Sequence, residues 1–324
     1  MGTIAEEITR IQTAKSNIKT AIENKGVAVG DITIDGYAEK INQIVGGSGS
    51  SKWVIPDGTS FQYSTWATFD GNSVDTSNMT TLKDLFRYCS SLTSIEGTNT
   101  WNVSNVRSAL RTFDGCTKLT TLDLANWNAS NCVSFSNFLN DCYALQTVNL
   151  FNMNTSGATD FSYMFKDCDK LSTIYGINNL DVTSLENAEY MFGYCSSLTS
   201  LDLSSWIPPT NCSFNSMFYL CTSLTDLNVS SFDFSNTNMA YFIYRCGNLI
   251  NFNCGKNIKT SMDITGSPFL SIDSIMSIIN NYYDYTANGQ TTSYYLKMTQ
   301  AQADKLTDEQ KAILTNKGVS FSIS

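Results

Sequence analysis

Ten cysteines and no histidine define the chemistry open to this chain of 324 residues. Without histidine there is no Ser-His-Asp or Cys-His nucleophile, none of the common His-containing zinc sites, and no side chain whose ordinary pKa makes it a general base at neutral pH. No Cys-x-x-Cys pair occurs, and Gly255-Lys256 lacks the upstream glycines of a phosphate-binding loop. Hydrolysis of glycosides by two carboxylates is the one enzymatic class left open, since it needs only two Asp or Glu roughly 5–10 Å apart. The chain is expected to be no enzyme and to carry no cofactor and no metal.

Seven of the cysteines act as a ruler. Cys89, Cys116, Cys142, Cys168, Cys195, Cys221 and Cys246 follow one another at intervals of 27, 26, 26, 27, 26 and 25 residues. Each has a bulky apolar residue three before it (Phe86 and Phe192, for example), a leucine three after (Leu92, Leu198), and an apolar residue six after (Ile95, Leu201). Self-similarity at such a period predicts a stack of repeats. An odd ladder at one repeat position cannot pair completely, and free cysteine is among the most buried residue types, so the ladder is expected to be a reduced set of small core spacers. Cys132, Cys212 and Cys254 fall off the ladder and are left open.

If the residue six after each cysteine is the buried centre of a strand, its neighbours point outward. These are Glu96, Asp123, Asn149, Tyr175, Asp202, Asn228 and Asn253 on one side, and Ser94, Thr121, Thr147, Thr173, Ser200, Asp226 and Asn251 on the other. Stacked in parallel they would form two polar ladders, from which Glu96, Thr121, Asp123, Asn149, Tyr175, Asp202, Asp226, Asn228 and Asn253 are the candidate binding residues. Amides, carboxylates and a phenol can hydrogen-bond sugar hydroxyls while a ring covers an apolar sugar face. The alternative is a solvated strand surface.

The elements that must position these residues follow from the same spacing. Phe135, Phe138, Leu139, Cys142 and Leu145 predict a short amphipathic helix, and Leu145–Leu150 a strand, so the fold class is an α/β repeat solenoid of about seven repeats. Residues 85–255 form the array. Residues 52–84, with aromatics alternating around Pro56-Asp-Gly58, predict a hairpin cap, because an uncovered solenoid end is apolar and unpaired. Residues 256–324 drop the repeat and predict a small α+β cap: a helix at Ile272–Tyr282, a strand at Tyr294–Met298, and capping boxes at Thr299/Gln302 and Thr307/Gln310. Upstream, Gly46–Ser51 is a Gly/Ser linker. Before it, residues 1–45 carry Ile4, Ile8, Ile11, Lys15, Ile18 and Ile22, an apolar seam interrupted by one lysine that predicts a coiled coil, with a trimer preferred over packing within one chain.

Composition narrows the partners. Charged residues make up 15%, against roughly 25% in ordinary soluble domains, and the net charge is −9. No Lys/Arg cluster is present, so nucleic acid and anionic membrane are not expected partners. No apolar run approaches the roughly 18 residues of a span, and the N-terminus has no signal-peptide pattern.

Met191-Phe-Gly-Tyr-Cys-Ser-Ser-Leu-Thr-Ser-Leu-Asp-Leu203 resembles the BspA-like leucine-rich repeats of bacterial surfaces and gut phages. Ile11-Gln-Thr-Ala-Lys-Ser-Asn-Ile-Lys-Thr-Ala-Ile22 resembles attachment segments of tail and fibre proteins of gut Bacteroidales phages, crAss-like ones included. The resemblances imply a virion structural protein that attaches to other virion proteins through its N-terminal segment and presents the array to a host surface protein or glycan. A bacterial cell-surface adhesin and an intracellular interaction scaffold are the alternatives.

Overall fold

Each repeat spends only three residues on a strand, with an apolar centre, buried except at the half-buried Ile174, between two outward neighbours. The structure is a computed structural model that describes Lys19 and residues 52–324. Linker 46–51 and the isoleucine seam lie outside the described residues. The repeat strands are β4 (Ser94–Glu96), β5 (Thr121–Asp123), β6 (Thr147–Asn149), β7 (Thr173–Tyr175), β8 (Ser200–Asp202), β9 (Asp226–Asn228) and β10 (Asn251–Asn253). They pair in parallel, centre opposite centre: Leu122 with Val148 and Ile174, and Leu201 with Leu227 and Phe252. The result is a repeat-type, β-rich fold.

The helix expected in each repeat does not form. Phe135–Cys142 and its equivalents are runs of turns, and two residues in each run, five and one before the cysteine, take positive φ. They are Asp84 and Tyr88, Asn137 and Asp141, Tyr163 and Asp167, Tyr190 and Tyr194, Ser216 and Leu220, and Tyr241 and Arg245, while the second repeat uses Arg111 and Gly115. The reason lies in where the backbone hydrogen bonds go. Alternate amides leave the repeat for the next one, as Tyr163 N–H to Glu189 C=O (2.8 Å) and Phe165 N–H to Met191 C=O (2.9 Å). The amides between them close three-residue turns, as Met164 N–H to Phe161 C=O (3.2 Å). A helix would consume all of these groups internally and leave neighbouring repeats nothing to share. Apolar residues three and four apart satisfy a helical stripe, but a zigzag of tight turns buries the same positions.

The cysteine ladder holds the repeats together at their centre. All ten cysteines are free and buried. Each ladder thiol donates to the carbonyl of the residue three before the equivalent position of the preceding repeat, from Cys89 Sγ to Phe61 O (3.1 Å) through Cys168 Sγ to Leu139 O (3.2 Å) to Cys246 Sγ to Phe218 O (3.0 Å). Cys132 and Cys212 occupy the buried position that Val106, Ala158 and Leu185 fill in other repeats. On either side, aromatic rings stack from repeat to repeat. Phe192 lies between Phe165 (5.6 Å, 10°) and Phe218 (5.5 Å, 3°). Trp101 stacks on Trp127 at 6.2 Å, and the Trp127 indole N–H donates to Thr98 O at 2.8 Å.

The ladder of strands breaks twice, after β4 and after β7. Both breaks fall in the repeats that are one residue longer, at Gly97 (φ 69°) and Gly176 (φ 73°). There the turn after the strand becomes a short 3-10 segment, at Thr98–Thr100 and Ile177–Asn179. A Cβ on Gly176 would lie 2.7 Å from Phe151 N, so the close approach and the left-handed backbone both require glycine.

The N-terminal cap is not a hairpin. β1 (Trp53–Val54) pairs in parallel with β3 (Val74–Asp75), and β2 (Thr68–Asp70) in parallel with β4. The cap is a degenerate repeat, with Phe61, Tyr63 at positive φ, and Ser64 at the cysteine position 25 residues before Cys89. The C-terminal unit contains α1 (Ile272–Asn281), α2 (Gln300–Ala303) and α3 (Asp308–Asn316), with β11 (Met262–Asp263), β12 (Tyr295–Met298) and β13 (Ser320–Ile323) in one parallel sheet. Both capping boxes form, and Gln302 is drawn fully inside, where its amide donates to Ile264 O and Ser267 O.

Candidate binding face

The outward strand positions do come together, in three blocks instead of one ladder. Thr121, Thr147 and Thr173 lie in one row beside Asp123, Asn149 and Tyr175. Ser200, Asp226 and Asn251 lie beside Asp202, Asn228 and Asn253. Glu96 is separated from both, since β4 pairs back to β2, and its ladder neighbour is Asp70. The inserted residues at Gly97 and Gly176 cause this separation by turning the chain before the next rung can register.

Several of the candidates have a second occupation. Asp123, Asn149, Asp202 and Asn228 each accept, through Oδ1, the amide two residues on: Ala125 (3.1 Å), Phe151 (3.1 Å), Ser204 (2.9 Å) and Ser230 (3.2 Å). These are Asx turns, which reverse the chain at the end of each strand. Asp202→Ala with Asn228→Ala therefore removes two turn-closing bonds along with two outward groups, each bond being worth about 1 kcal/mol, and such a variant cannot separate binding from stability. Asp226 already has a partner on each oxygen within the face, taking the Thr225 hydroxyl and the Asn251 amide at 2.6 Å each. The Thr225 bond, followed by that of Asn251, holds its carboxyl below the ordinary value.

Two features of the face are open to a ligand. Over the second block, a shallow depression of about 250 Å³ has Leu201 and Leu227 as its floor and Asp202, Asp226, Asn228 and Asn253 around it. On the first block, the Phe151 and Tyr175 rings stack at 6.3 Å and 22°, each 50% exposed. Because the sheet stops at β7, no further rung of that sheet flanks Tyr175. Phe151 escaped the outward-strand pattern because it belongs to the turn. Its signal was a large aromatic in a column otherwise held by Ala125, Ser204 and Ser230. Tyrosines of the turn runs form a second continuous line, Tyr163 on Tyr190 (5.4 Å, 11°) and Tyr219 on Tyr244 (5.4 Å, 21°), whose rings are mostly half-buried and packed against one another.

Among the described residues no group of three Cys, Asp or Glu side chains could hold a metal ion, and no helix is long and apolar enough to cross a membrane. The family described as "Mycoplasma protein of unknown function, DUF285" matches residues 59–176 and again 141–254. Those two spans together cover more than half of the chain and begin inside the degenerate N-terminal repeat. No curated protein matches the chain.

Proposed function

This chain belongs to the DUF285 family, and we propose that it is a non-enzymatic binding module of the BspA-like leucine-rich-repeat kind whose outward strand face engages a glycan on a host surface. One observation carries this reading: the half-exposed Phe151–Tyr175 stack stands at the end of a row of hydroxyls and amides. A pyranose has an apolar face that a ring can cover and equatorial hydroxyls that need donors and acceptors. Thr147 and Thr173 supply hydroxyls beside the rings, and the Asn149 amide N–H2 remains available because its turn uses only the oxygen. A solvated strand surface would have no need of two large rings held half in water.

The test is binding of the full chain to a printed array of host-mucin and bacterial-capsule oligosaccharides. Phe151→Ala with Tyr175→Ala should weaken every positive signal about tenfold, about 1.4 kcal/mol, while the melting temperature moves little, because half-exposed side chains contribute little to the core. Binding by the double variant that equals wild type, or no binding by wild type, would overturn the reading.

The setting we propose is a virion, as a fibre or decoration protein joined to its neighbours and trimerised through residues 1–45. A strictly monomeric light-scattering mass for the full chain would remove the trimer. A bacterial cell-surface adhesin is the second reading, favoured by a family described from Mycoplasma, a bacterium.

A further inference from the structure

The repeat array runs out of partners at one edge, and the unmatched groups line a cleft. In every complete repeat, alternate amides of the turn run donate to carbonyls of the next repeat. In the repeat of Cys221 these are Phe214 to Asn238 (2.8 Å), Ser216 to Ala240 (2.8 Å), Phe218 to Phe242 (3.0 Å) and Leu220 to Tyr244 (2.9 Å). The equivalent donors one repeat later are Met239, Tyr241 and Ile243, followed by Arg245. The amides of Met239, Tyr241 and Ile243 have no acceptor among the described residues.

The cause is visible in the chain that follows. Where the next turn run should begin, Ser261–Asp263 veers away to pair with β12, through Met262 opposite Leu296 and Asp263 opposite Lys297. Contact resumes only further on. A Cβ on Gly266 would lie 2.7 Å from Arg245 N, and the Ser267 hydroxyl donates to Ile243 O at 3.3 Å. Between the diverging segments lies a cleft of about 270 Å³, lined by Met239–Tyr244, Ser261–Asp263 and Tyr295. It is closed at the Arg245 end. Tyr241 (61% exposed) and Tyr295 (40%) stand at its walls. Asp263 offers no free charge, since one oxygen takes Thr265 N and the other Lys297 Nζ.

We propose that this cleft is a docking site for a polypeptide segment of a partner protein, which adds main chain to the open edge. Donors on residues 239, 241 and 243 alternate along the run, and in every preceding repeat the group that meets such donors is a row of alternate main-chain carbonyls from a second run, so the matching ligand is a polypeptide backbone that takes up the course of a turn run. The tyrosines supply rigid flanks for its side chains, and unpaired amides in a partly enclosed cleft supply the driving force, since an unmade bond there is costly. The carboxylate is already neutralised by Lys297, which disfavours a cationic ligand. This site is independent of the outward face and lies on a different part of the chain.

The experiment uses the full chain, isotope-labelled, and an acetylated peptide that copies residues 186–196 with serine in place of its cysteine. In the intact fold that run supplies its Asn187, Glu189 and Met191 carbonyls to the preceding repeat. In the free protein, the Tyr241 and Ile243 amides should exchange with solvent at least tenfold faster than Ser216 and Phe218. On titration their signals should shift saturably and their exchange should slow, while those of Asp202 and Asn228 stay in place. Ala240→Trp, which places a large ring at an exposed position lining the cleft, should weaken the peptide at least tenfold without lowering the melting temperature. Equal protection of the two pairs of amides in the free protein, no saturable shift at millimolar peptide, or unchanged affinity in Ala240→Trp would each overturn the proposal.

Discussion

Raising the pH from 8 to about 10.5 under reducing conditions is expected to unfold the array. Burial pushes the ladder thiols far up: Cys89 and Cys246 to about 12, and Cys116, Cys142, Cys168 and Cys221 well above the ordinary thiol value, neighbouring thiols adding to the effect of burial. Off the ladder, burial raises Cys132 and Cys212 to about 12. A group whose folded pKa is raised contributes stability that is fully present below its unfolded pKa. That contribution is lost as pH rises through the window up to the folded value. For these thiols the window opens near 8.5–9 and extends to about 12. Each thiol ionised only in the unfolded chain subtracts about 1.4 kcal/mol per pH unit, so the ladder as a whole subtracts on the order of 10 kcal/mol per unit. That exceeds the net stability of most domains, about 5–15 kcal/mol, within one or two pH units. Circular dichroism at fixed temperature across this range is the measurement. A melting temperature that holds steady from pH 8 to 10.5 would mean that the thiols are not sealed from water. Cys142→Ala with Cys168→Ala should flatten the pH slope by roughly two thiols' worth even as it lowers stability at pH 7.

The second large effect is expected from Phe192→Ala, with a loss of about 3–5 kcal/mol. Phe192 is fully buried and lies face to face between Phe165 and Phe218. Truncation leaves a void that neither neighbour can close, since each is held by its own repeat's hydrogen bonds. In a stack of repeats, stability is a sum of repeat terms and nearest-neighbour interfaces. Phe192 contributes to two interfaces at once, and the variant should therefore lower the cooperativity of urea unfolding as well as its midpoint. Tyr190→Ala, on the same run but half-buried, should cost much less. A loss below about 1 kcal/mol for Phe192→Ala would show that the stacked rings are not what joins the repeats.

The strands were legible because their signal is short and strict: one apolar centre six residues after a cysteine, repeated seven times. The turn runs were misread for a physical reason. Phe135, Phe138, Leu139 and Cys142 at spacings of three and four satisfy a helix, yet the same spacing satisfies a chain that reverses at Asn137 and Asp141 in the left-handed region. Hydrophobic period reports which side chains are buried and says nothing of where amides and carbonyls go. The polar types at those positions, Asp, Asn and Tyr, were the available hint, because Asn and Asp tolerate positive φ better than most residues. The cap was misread for a related reason, since Ser64 replaces the cysteine that served as ruler. Thr299 and Thr307, by contrast, announced their helices through capping boxes that need only four consecutive residues.

For the candidate face, the outward positions of Thr121, Asp202 and Asn228 followed from alternation alone. That Asp123, Asn149, Asp202 and Asn228 also close turns, and that Phe151 joins Tyr175, required the fold. The sequence by itself determined that this protein is a stack of repeats, that its seven ladder cysteines lie inside, and which residues flank each strand centre. These properties are carried by residue type at fixed spacing. Tertiary structure alone decided that the repeats are joined by shared backbone bonds, that the ladder breaks at Gly97 and Gly176, and that the amides of Tyr241 and Ile243 find no partner among the described residues. Every residue carries the same backbone donor and acceptor, so their destinations leave no mark on the sequence until the repeats are stacked.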